Sequence, residues 1–226
     1  MAVIFDGEHK NARREIDEDY KANRPDLGEV PEEETPFSQL EDVKRALDHL
    51  GIRWFETVEN ETDDVIAAYA FSREGDEEIV IASYDSDFFQ LIGEKVTVLR
   101  YRGVKTAFWT PGTLREKLGV EPWQYAGFKA LTGDGADNIR GAEGIGPKTA
   151  MRLLGTHKTL EILLEKAGEL PEGAVKVSLL RNKERLRKNL RLIRLDGSAP
   201  LPFSREELRF SDPGVTTNEA LRGIGL

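Results

Sequence analysis

Apolar positions come in two rhythms along this chain. Short apolar runs flanked by polar residues occur at AVIF (2–5), IRWFE (52–56) and IVIAS (79–83), and each predicts a buried strand. Between them, Phe37, Leu40, Val43, Leu47 and Leu50 recur at helical spacing, predicting a helix over 37–50, and a second helix is expected over 62–73. Residues 8–24 also read as a helix, but they carry five Lys/Arg and five Asp/Glu with few large apolar side chains, so little of it could pack on a core. PDLGEVPEEETP (25–36), with three prolines, reads as a loop. KVTVLRY, Arg102-Gly103 and VKTAFWT read as a β-hairpin turning at Arg102-Gly103. Helices then follow at about 111–118, 122–132, 147–154, 158–166 and 175–193.

Strand–helix alternation before the hairpin predicts an α/β fold with a mainly parallel central sheet, followed from about residue 111 by an all-helical region. There is no tandem repeat or low-complexity tract, and the tail from about 196 carries no clear pattern. The 226 residues suffice for one sizeable core or for a core domain with an appended unit. No apolar run approaches the roughly 18–20 residues of a bilayer span. The start has no signal-peptide pattern, and there are no cysteines for disulfides or thiolate metal sites. These features suit a cytoplasmic protein.

The net charge of −9 hides a segregation. Residues 176–194 carry eight Lys/Arg and one Glu, whereas residues 26–48 carry eight acids and two Lys/Arg. The total is therefore a poor guide to whether nucleic acid is a partner.

The candidate chemistry lies in acids placed at strand ends and tight turns. Asp6 closes the first strand. Glu61, Asp63 and Asp64 sit in NETDDVIAAYAF, Asp85 and Asp87 follow IVIAS, and Asp134 and Asp137 lie in TGDGADNIRG. Taken singly, each has a structural reading: Thr62 as a helix N-cap with Asp63 and Asp64 in the first turn, Asp85 as a cap for the segment carrying Phe88, Phe89 and Leu91, and GDGADN as a plain turn. Taken together, they fall where open α/β sheets bind ligands, beyond the carboxyl ends of the strands. Carboxylates crowded together repel unless a cation neutralises them. Oxygen-only donors, with His9, His49 and His157 scattered, favour Mg²⁺ or Mn²⁺ over Zn²⁺. Two divalent ions offset four of the seven charges of Asp6, Glu61, Asp63, Asp85, Asp87, Asp134 and Asp137, an arrangement suited to phosphate-ester hydrolysis.

Three further stretches could hold phosphate. In GAEGIGPKTAMRLL (141–154), Gly144 and Gly146 admit a close approach to backbone N–H groups, Pro147 suits the first position of a helix, and Lys148 and Thr149 stand beside it. The pattern is not a Walker A loop, and it could instead be a packing corner between helices. Arg13, Arg14, Lys21 and Arg24 gather in 12–24 around Tyr20, a possible stacking surface for a base, although a solvated helix laced with ion pairs would look the same. In the basic segment, Leu179, Leu186, Leu190 and Ile193 can form the buried side of an amphipathic helix.

VIFDG, YKANR, ETDDVIA, YDSDFFQL, LTGDGADNIRG and GIGPKTA occur in one order over nearly the whole chain. In this the sequence resembles bacterial and phage 5′-nucleases, the family of the 5′→3′ exonuclease domain of DNA polymerase I and of flap endonucleases. The resemblance implies a nuclease core over 1–110, with a helical arch at 8–36, and a helical DNA-binding region over 111–226 with a helix–three-turn–helix at about 139–155. It implies that Asp6, Glu61, Asp63 and Asp85 are ligands near a first metal ion and that Asp85, Asp87, Asp134 and Asp137 are ligands or outer-sphere holders of a second, with Asp64 structural or standing behind the ligands. Tyr20, Lys21 and Arg24 match the arch, where cations meet the scissile phosphate. Gly144, Gly146 and Lys148 match the element that grips duplex phosphates, in the family with a K⁺ ion.

The implied activity is two-metal hydrolysis of DNA phosphodiesters near a 5′ end, on flapped, gapped or nicked duplex, by a monomer that could work with a DNA polymerase. Family members begin with a further strand ending in Asp-Gly and a helix; here AVIF starts at residue 2. That departure implies a shortened or split chain, with another polypeptide supplying the piece, or a DNA-binding protein impaired in catalysis. A small-molecule phosphatase using the Asp-x-Asp is the remaining alternative.

Overall fold

The computed structural model describes residues 1–7, 12–24, 31 and 35–225. The chain divides into two compact units. One comprises Met1–Lys10, Arg24–Thr62 and Pro200–Leu226; the other comprises Asn11–Asn23 and Asp63–Ala199.

In the first unit, β1 (Ala2–Phe5) pairs in parallel with β2 (Arg53–Glu56), in register from Ala2 opposite Arg53 to Phe5 opposite Glu56. The crossover includes α2 (Leu40–His49), entered through a 3₁₀ turn (Pro36–Gln39) whose cap, Thr35, accepts the Phe37 N–H at 3.3 Å. Lys44 on α2 pairs with Glu56 on β2 at 2.8 Å. Gly7 follows β1 where its backbone runs against β2: a Cβ there would lie 2.0 Å from the Thr57 carbonyl oxygen, so only glycine fits. The tail, featureless by apolar pattern, forms α10 (Thr217–Gly223) behind a capping box of Thr216 and Glu219, and Gly223 lies against the His49 ring of α2.

The second unit contains α3 (Thr62–Phe71), apart from its first residue, and a sheet of order β3-β4-β5. β3 (Ile79–Ala82) is parallel to β4 (Val96–Arg100), and β4 is antiparallel to β5 (Ala107–Trp109). The hairpin exists, but its turn is longer than expected. Arg100 pairs with Ala107, leaving 101–106 as the connection. Thr106 Oγ1 closes this loop, donating to the Gly103 carbonyl at 2.6 Å and accepting the Arg102 N–H at 3.1 Å.

Helices then dominate: α4 (Pro111–Leu118), α5 (Tyr125–Thr132) after a 3₁₀ turn at Pro122–Gln124, α6 (Pro147–His157), α7 (Leu160–Glu165), α8 (Ala174–Arg181) and α9 (Lys183–Ile193). The single helix expected over 175–193 is broken at Asn182, whose side chain bonds back to the Ser178 carbonyl at 2.8 Å. Leu179, Leu186, Leu190 and Ile193 are buried, as the amphipathic pattern requires. The core also takes in Phe88, Phe89, Val98, Leu114, Leu131 and Leu154, and Phe89 stacks on Trp109 at 4.2 Å between ring centroids.

The expected helix over 8–24 is mostly absent. Residues 8–11 lie outside the described residues; α1 covers only Ala12–Ile16, and turns follow to Arg24. Lys21 has a φ of +57°, which no α-helix accommodates, and its N–H donates to the Asp137 carbonyl at 3.1 Å. Of the arch expected over 8–36, residues 12–24, 31, 35 and 36 are described, and among these only Ala12–Ile16 is α-helical. Among the described residues, no helix is long and apolar enough to cross a membrane.

Candidate metal centre

Why β3 should run into two acids is answered by the turn that follows it. The Asp85 N–H donates to Ser83 Oγ at 3.0 Å, and Asp85 Oδ1 accepts the Asp87 N–H at 2.8 Å. This chain of side-chain-to-backbone bonds turns the strand into a 3₁₀ segment (Asp87–Leu91). Phe88 and Phe89 are each 2 % exposed and anchor that segment, so Asp87 is carried into the interior at 7 %.

A second acidic turn comes from α5 and the small hairpin after it, β6 (Gly133–Asp134) and β7 (Ile139–Arg140). Gly133 has a φ of +86°, and a Cβ there would lie 2.7 Å from the Gly141 nitrogen, so the hairpin closes only around glycine. Asn189 of α9 holds it by donating to the Ala130 and Arg140 carbonyls at 3.1 and 2.8 Å. Asp134 Oδ1 accepts the Ala136 N–H at 3.0 Å, and Asp137 is buried.

The two turns meet. Asp87, Asp134 and Asp137 each offer an oxygen, and the three lie within 4.8 Å of one another. Lys129, from the buried α5, reaches into the group and pairs with both Asp87 and Asp134. Burial pushes the Asp87 carboxyl up to about 6 against the pull of Lys129, and the charges of Asp85 and Asp134 add to the rise. Burial alone would lower the Lys129 ammonium, but the charges and hydrogen bonds of Asp87 and Asp134 outweigh it and raise it. Burial also raises the Tyr125 phenol, with the charges of Asp87 and Asp134 adding to it against the pull of Lys129 and a hydrogen bond with Ser86. Lys129 thus balances two carboxylates, Asp87 and Asp134, in a setting where each charge is costly. The donor set is oxygen-only, which fits a hard divalent cation.

Other expected site residues are distributed as follows. Asp85 is exposed at the rim of the β3 turn. Asp63 is half-buried in the first turn of α3. Asp6 and Glu61 belong to the first unit, where exposed Asp6 accepts the Thr62 hydroxyl at 3.1 Å and Glu61 is buried. Asp64 is structural: it takes both ends of the Arg13 guanidinium at 2.8 Å and accepts the Asp196 N–H at 2.8 Å.

Two of the expected DNA contacts lie inside. Arg13 is 8 % exposed, and its Nε donates to the Leu192 carbonyl at 2.8 Å, so it clasps the end of α9. Tyr20 is 4 % exposed, with its hydroxyl 3.4 Å from Asp137 Oδ2. Arg14 and Arg24 are exposed, and Lys21 is half-buried with its ammonium 4.9 Å from the centre of the Tyr20 ring. Farther along the chain, Gly144 (φ +73°) precedes Gly146, which caps α6, with Pro147 at its first position, Lys148 exposed and Thr149 half-buried. Sequence reasoning missed Lys129, although a lysine within the apolar run YAGFKALT is itself a signal, since a buried ammonium needs partners.

Residues 1–119 match the model of the 5′-3′ exonuclease N-terminal resolvase-like domain, and residues 120–216 match its C-terminal SAM fold. The chain belongs to the 5′-3′ exonuclease family. Among its relatives, the thermostable DNA polymerase I of Thermus filiformis is 38% identical over 226 residues, covering 99% of this chain and 26% of that protein. The DNA polymerase I of Streptococcus pneumoniae is 34% identical over 218 residues, covering 95% and 24%. The chain thus spans about a quarter of the length of these curated relatives. Among solved structures, bacteriophage T5 flap endonuclease in a pseudo-enzyme–product complex with DNA and metal ions superposes with a TM-score of 0.70 at 26% identity, over 85% of this chain and 72% of that one. The 5′-nuclease expectation and the α/β architecture with a helical C-terminal region are borne out.

Proposed function

We propose that the chain is a divalent-metal-dependent, structure-specific 5′-nuclease that hydrolyses DNA phosphodiesters near a 5′ end. The observation that carries this reading is the cluster of Asp87, Asp134 and Asp137, three buried or half-buried carboxylates within reach of one ion, two of them paired with Lys129. Carboxylates so placed are tolerated when cations share them. In this reading Asp87, Asp134 and Asp137, with Asp85 at the rim, hold one Mg²⁺ or Mn²⁺, and Asp6, Glu61 and Asp63 serve a second. When bound, such a pair supplies an activated water and charge for the attacking and leaving oxygens. Lys129 bridges Asp87 and Asp134 and offsets their repulsion. Lys21 and Arg24 offset the charge that develops on the phosphate.

Residues 1–110 serve as the nuclease core, and 111–226 grip the duplex while also supplying Asp134 and Asp137. The backbone N–H groups after Gly144 and Gly146, with Lys148 and Thr149, take duplex phosphates, and a K⁺ ion at this turn would be shared with the backbone. The T5 flap endonuclease complex with DNA and metal ions supports this assignment by analogy.

The test is a 5′-flap substrate with Mg²⁺. Asp134→Asn and Asp87→Asn are each expected to lower cleavage by roughly a hundredfold or more, the scale of a lost metal contribution. Both variants should still bind the flap in EDTA. Cleavage by both at the parent's rate would refute the reading.

A further inference from the structure

The β4–β5 hairpin carries a concentration of aromatic and cationic groups that the metal centre does not use. Residues 100–109 (RYRGVKTAFW) contain Arg100, Arg102 and Lys105 and no acid, in a chain of net charge −9. At the tip, Tyr101 is 67% exposed and Val104 is fully exposed. The loop rests on the residue that leads into the acidic turn. Arg100 Nη2 donates to the Tyr84 carbonyl at 2.7 Å, and the Arg102 guanidinium carbon lies 5.3 Å from the centre of the Tyr84 ring. Tyr84 is nonetheless 52% exposed. Among the described residues, no carboxylate pairs with Arg102 or Lys105, whereas other cations of this unit, such as Lys95, Arg115 and Lys188, have acidic partners.

A purely structural role explains part of this. Arg102 over Tyr84 is a cation–π contact that braces the loop. It does not explain a second exposed ring at Tyr101 or an unpaired Lys105 beside it. Aromatic rings interleaved with cations are the pattern by which proteins hold unpaired nucleotides, the rings taking base faces and the cations taking phosphates. The placement fits as well: Tyr84 immediately precedes Asp85, so its backbone stands about 3.8 Å from the acidic turn.

We infer that the hairpin tip is a stacking site for an unpaired nucleotide of the DNA, with Tyr84 and Tyr101 holding bases and Arg102 and Lys105 holding the flanking phosphates. This rests on the reading of the chain as a DNA-binding nuclease, but not on its catalysis. The site would favour DNA with a single-stranded segment over a fully paired duplex, whatever the base sequence.

The test uses the full chain in EDTA, where no cleavage occurs, with fluorescence anisotropy on two labelled DNAs: a duplex with a 5′ flap and a blunt duplex of the same length. A second flap DNA carries 2-aminopurine in the flap. Tyr84→Ala and Tyr101→Ala are each expected to weaken flap binding roughly tenfold, the scale of one lost base–aromatic stack. They should also relieve the quenching of 2-aminopurine while leaving blunt-duplex affinity unchanged, and Tyr101→Ala should leave the thermal melt unchanged as well. Tyr84→Phe should retain the parent's behaviour, because the stack needs the ring and not the hydroxyl. Unchanged flap affinity in both alanine variants, or equal weakening on both DNAs, would overturn the inference alone. A parent chain that binds neither DNA would overturn the DNA reading itself.

Discussion

Lys129 is the residue on which the acidic cluster balances. Its ammonium and the carboxylates of Asp87 and Asp134 have side-chain exposures of only 10–11%, so removing the cation leaves buried negative charge uncompensated. Lys129→Met is expected to cost about 3 kcal/mol in EDTA, the scale for breaking a buried pair. That corresponds to a fall in melting temperature of roughly 6–12 °C for a chain of this size. Adding Mn²⁺ should raise the melting temperature of the variant more than that of the parent, because the ion restores the missing charge; an equal rise in both would count against metal binding at these acids. At this scale the sequence was legible where residue type fixes chemistry: Asp-x-Asp after a strand and GDGADN before a Gly-rich turn could be recognised as a cation site. It was illegible where the environment decides. Arg13 and Tyr20 look like DNA contacts in a charged stretch, yet Asp64 and Asp137 draw them inward, and nothing in their local spacing reveals partners 51 and 117 residues away.

Among elements, the segment from α1 to Arg24 depends most on its surroundings. It has too few apolar groups to build a face of its own, and it is tied to the β6–β7 hairpin. Asn138 Nδ2 donates to the Asp19 carbonyl at 2.8 Å, Asn23 Nδ2 donates to the Gly135 carbonyl at 2.9 Å, and the Lys21 N–H bonds to the Asp137 carbonyl. Asn138 sits at a φ of +58°, so Asn138→Gly removes the side-chain bond without backbone strain. The expected result is faster amide exchange and faster tryptic cutting at Lys21, with the helical core unaffected. On the proposed role of Lys21 and Arg24 at the reacting phosphate, flap cleavage should fall mainly in kcat, with duplex affinity kept. Protection at Lys21 equal to the parent's would show that the latch is not what orders the segment. Helix spacing in the sequence foretold α2 to α7 and the buried leucines of α8 and α9. It could not foretell the break at Asn182 or the collapse of 17–24 into turns, because side-chain bonds to backbone decide both. The capping box before α10 was readable as Thr216-x-x-Glu219, but a helix of seven residues has too short an apolar stripe to announce itself.

For the molecule as a whole, the alternation of strands and helices and the shift to helices after residue 110 anticipated the architecture, and the ordered motifs from VIFDG to GIGPKTA anticipated the family. The division into two compact units was not. It depends on chain ends meeting, and periodicity within a window carries no information about that. The first unit draws on three separated stretches, including the terminal amino group of Met1 bonded to the Leu208 carbonyl and the Gly223 turn set against His49. The second unit needs only 11–23 and the unbroken run 63–199. Vectorial synthesis therefore gives the two different schedules on the ribosome. The stretch bearing Asp87, Lys129, Asp134 and Asp137 can fold once residue 199 has left the exit tunnel, whereas β1 and β2 must wait for 200–226 to lock them. A nascent chain stalled with Ala199 just outside the exit tunnel should resist protease across 63–199 and be cut within 35–62. Emergence of residues 200–226 should then protect both.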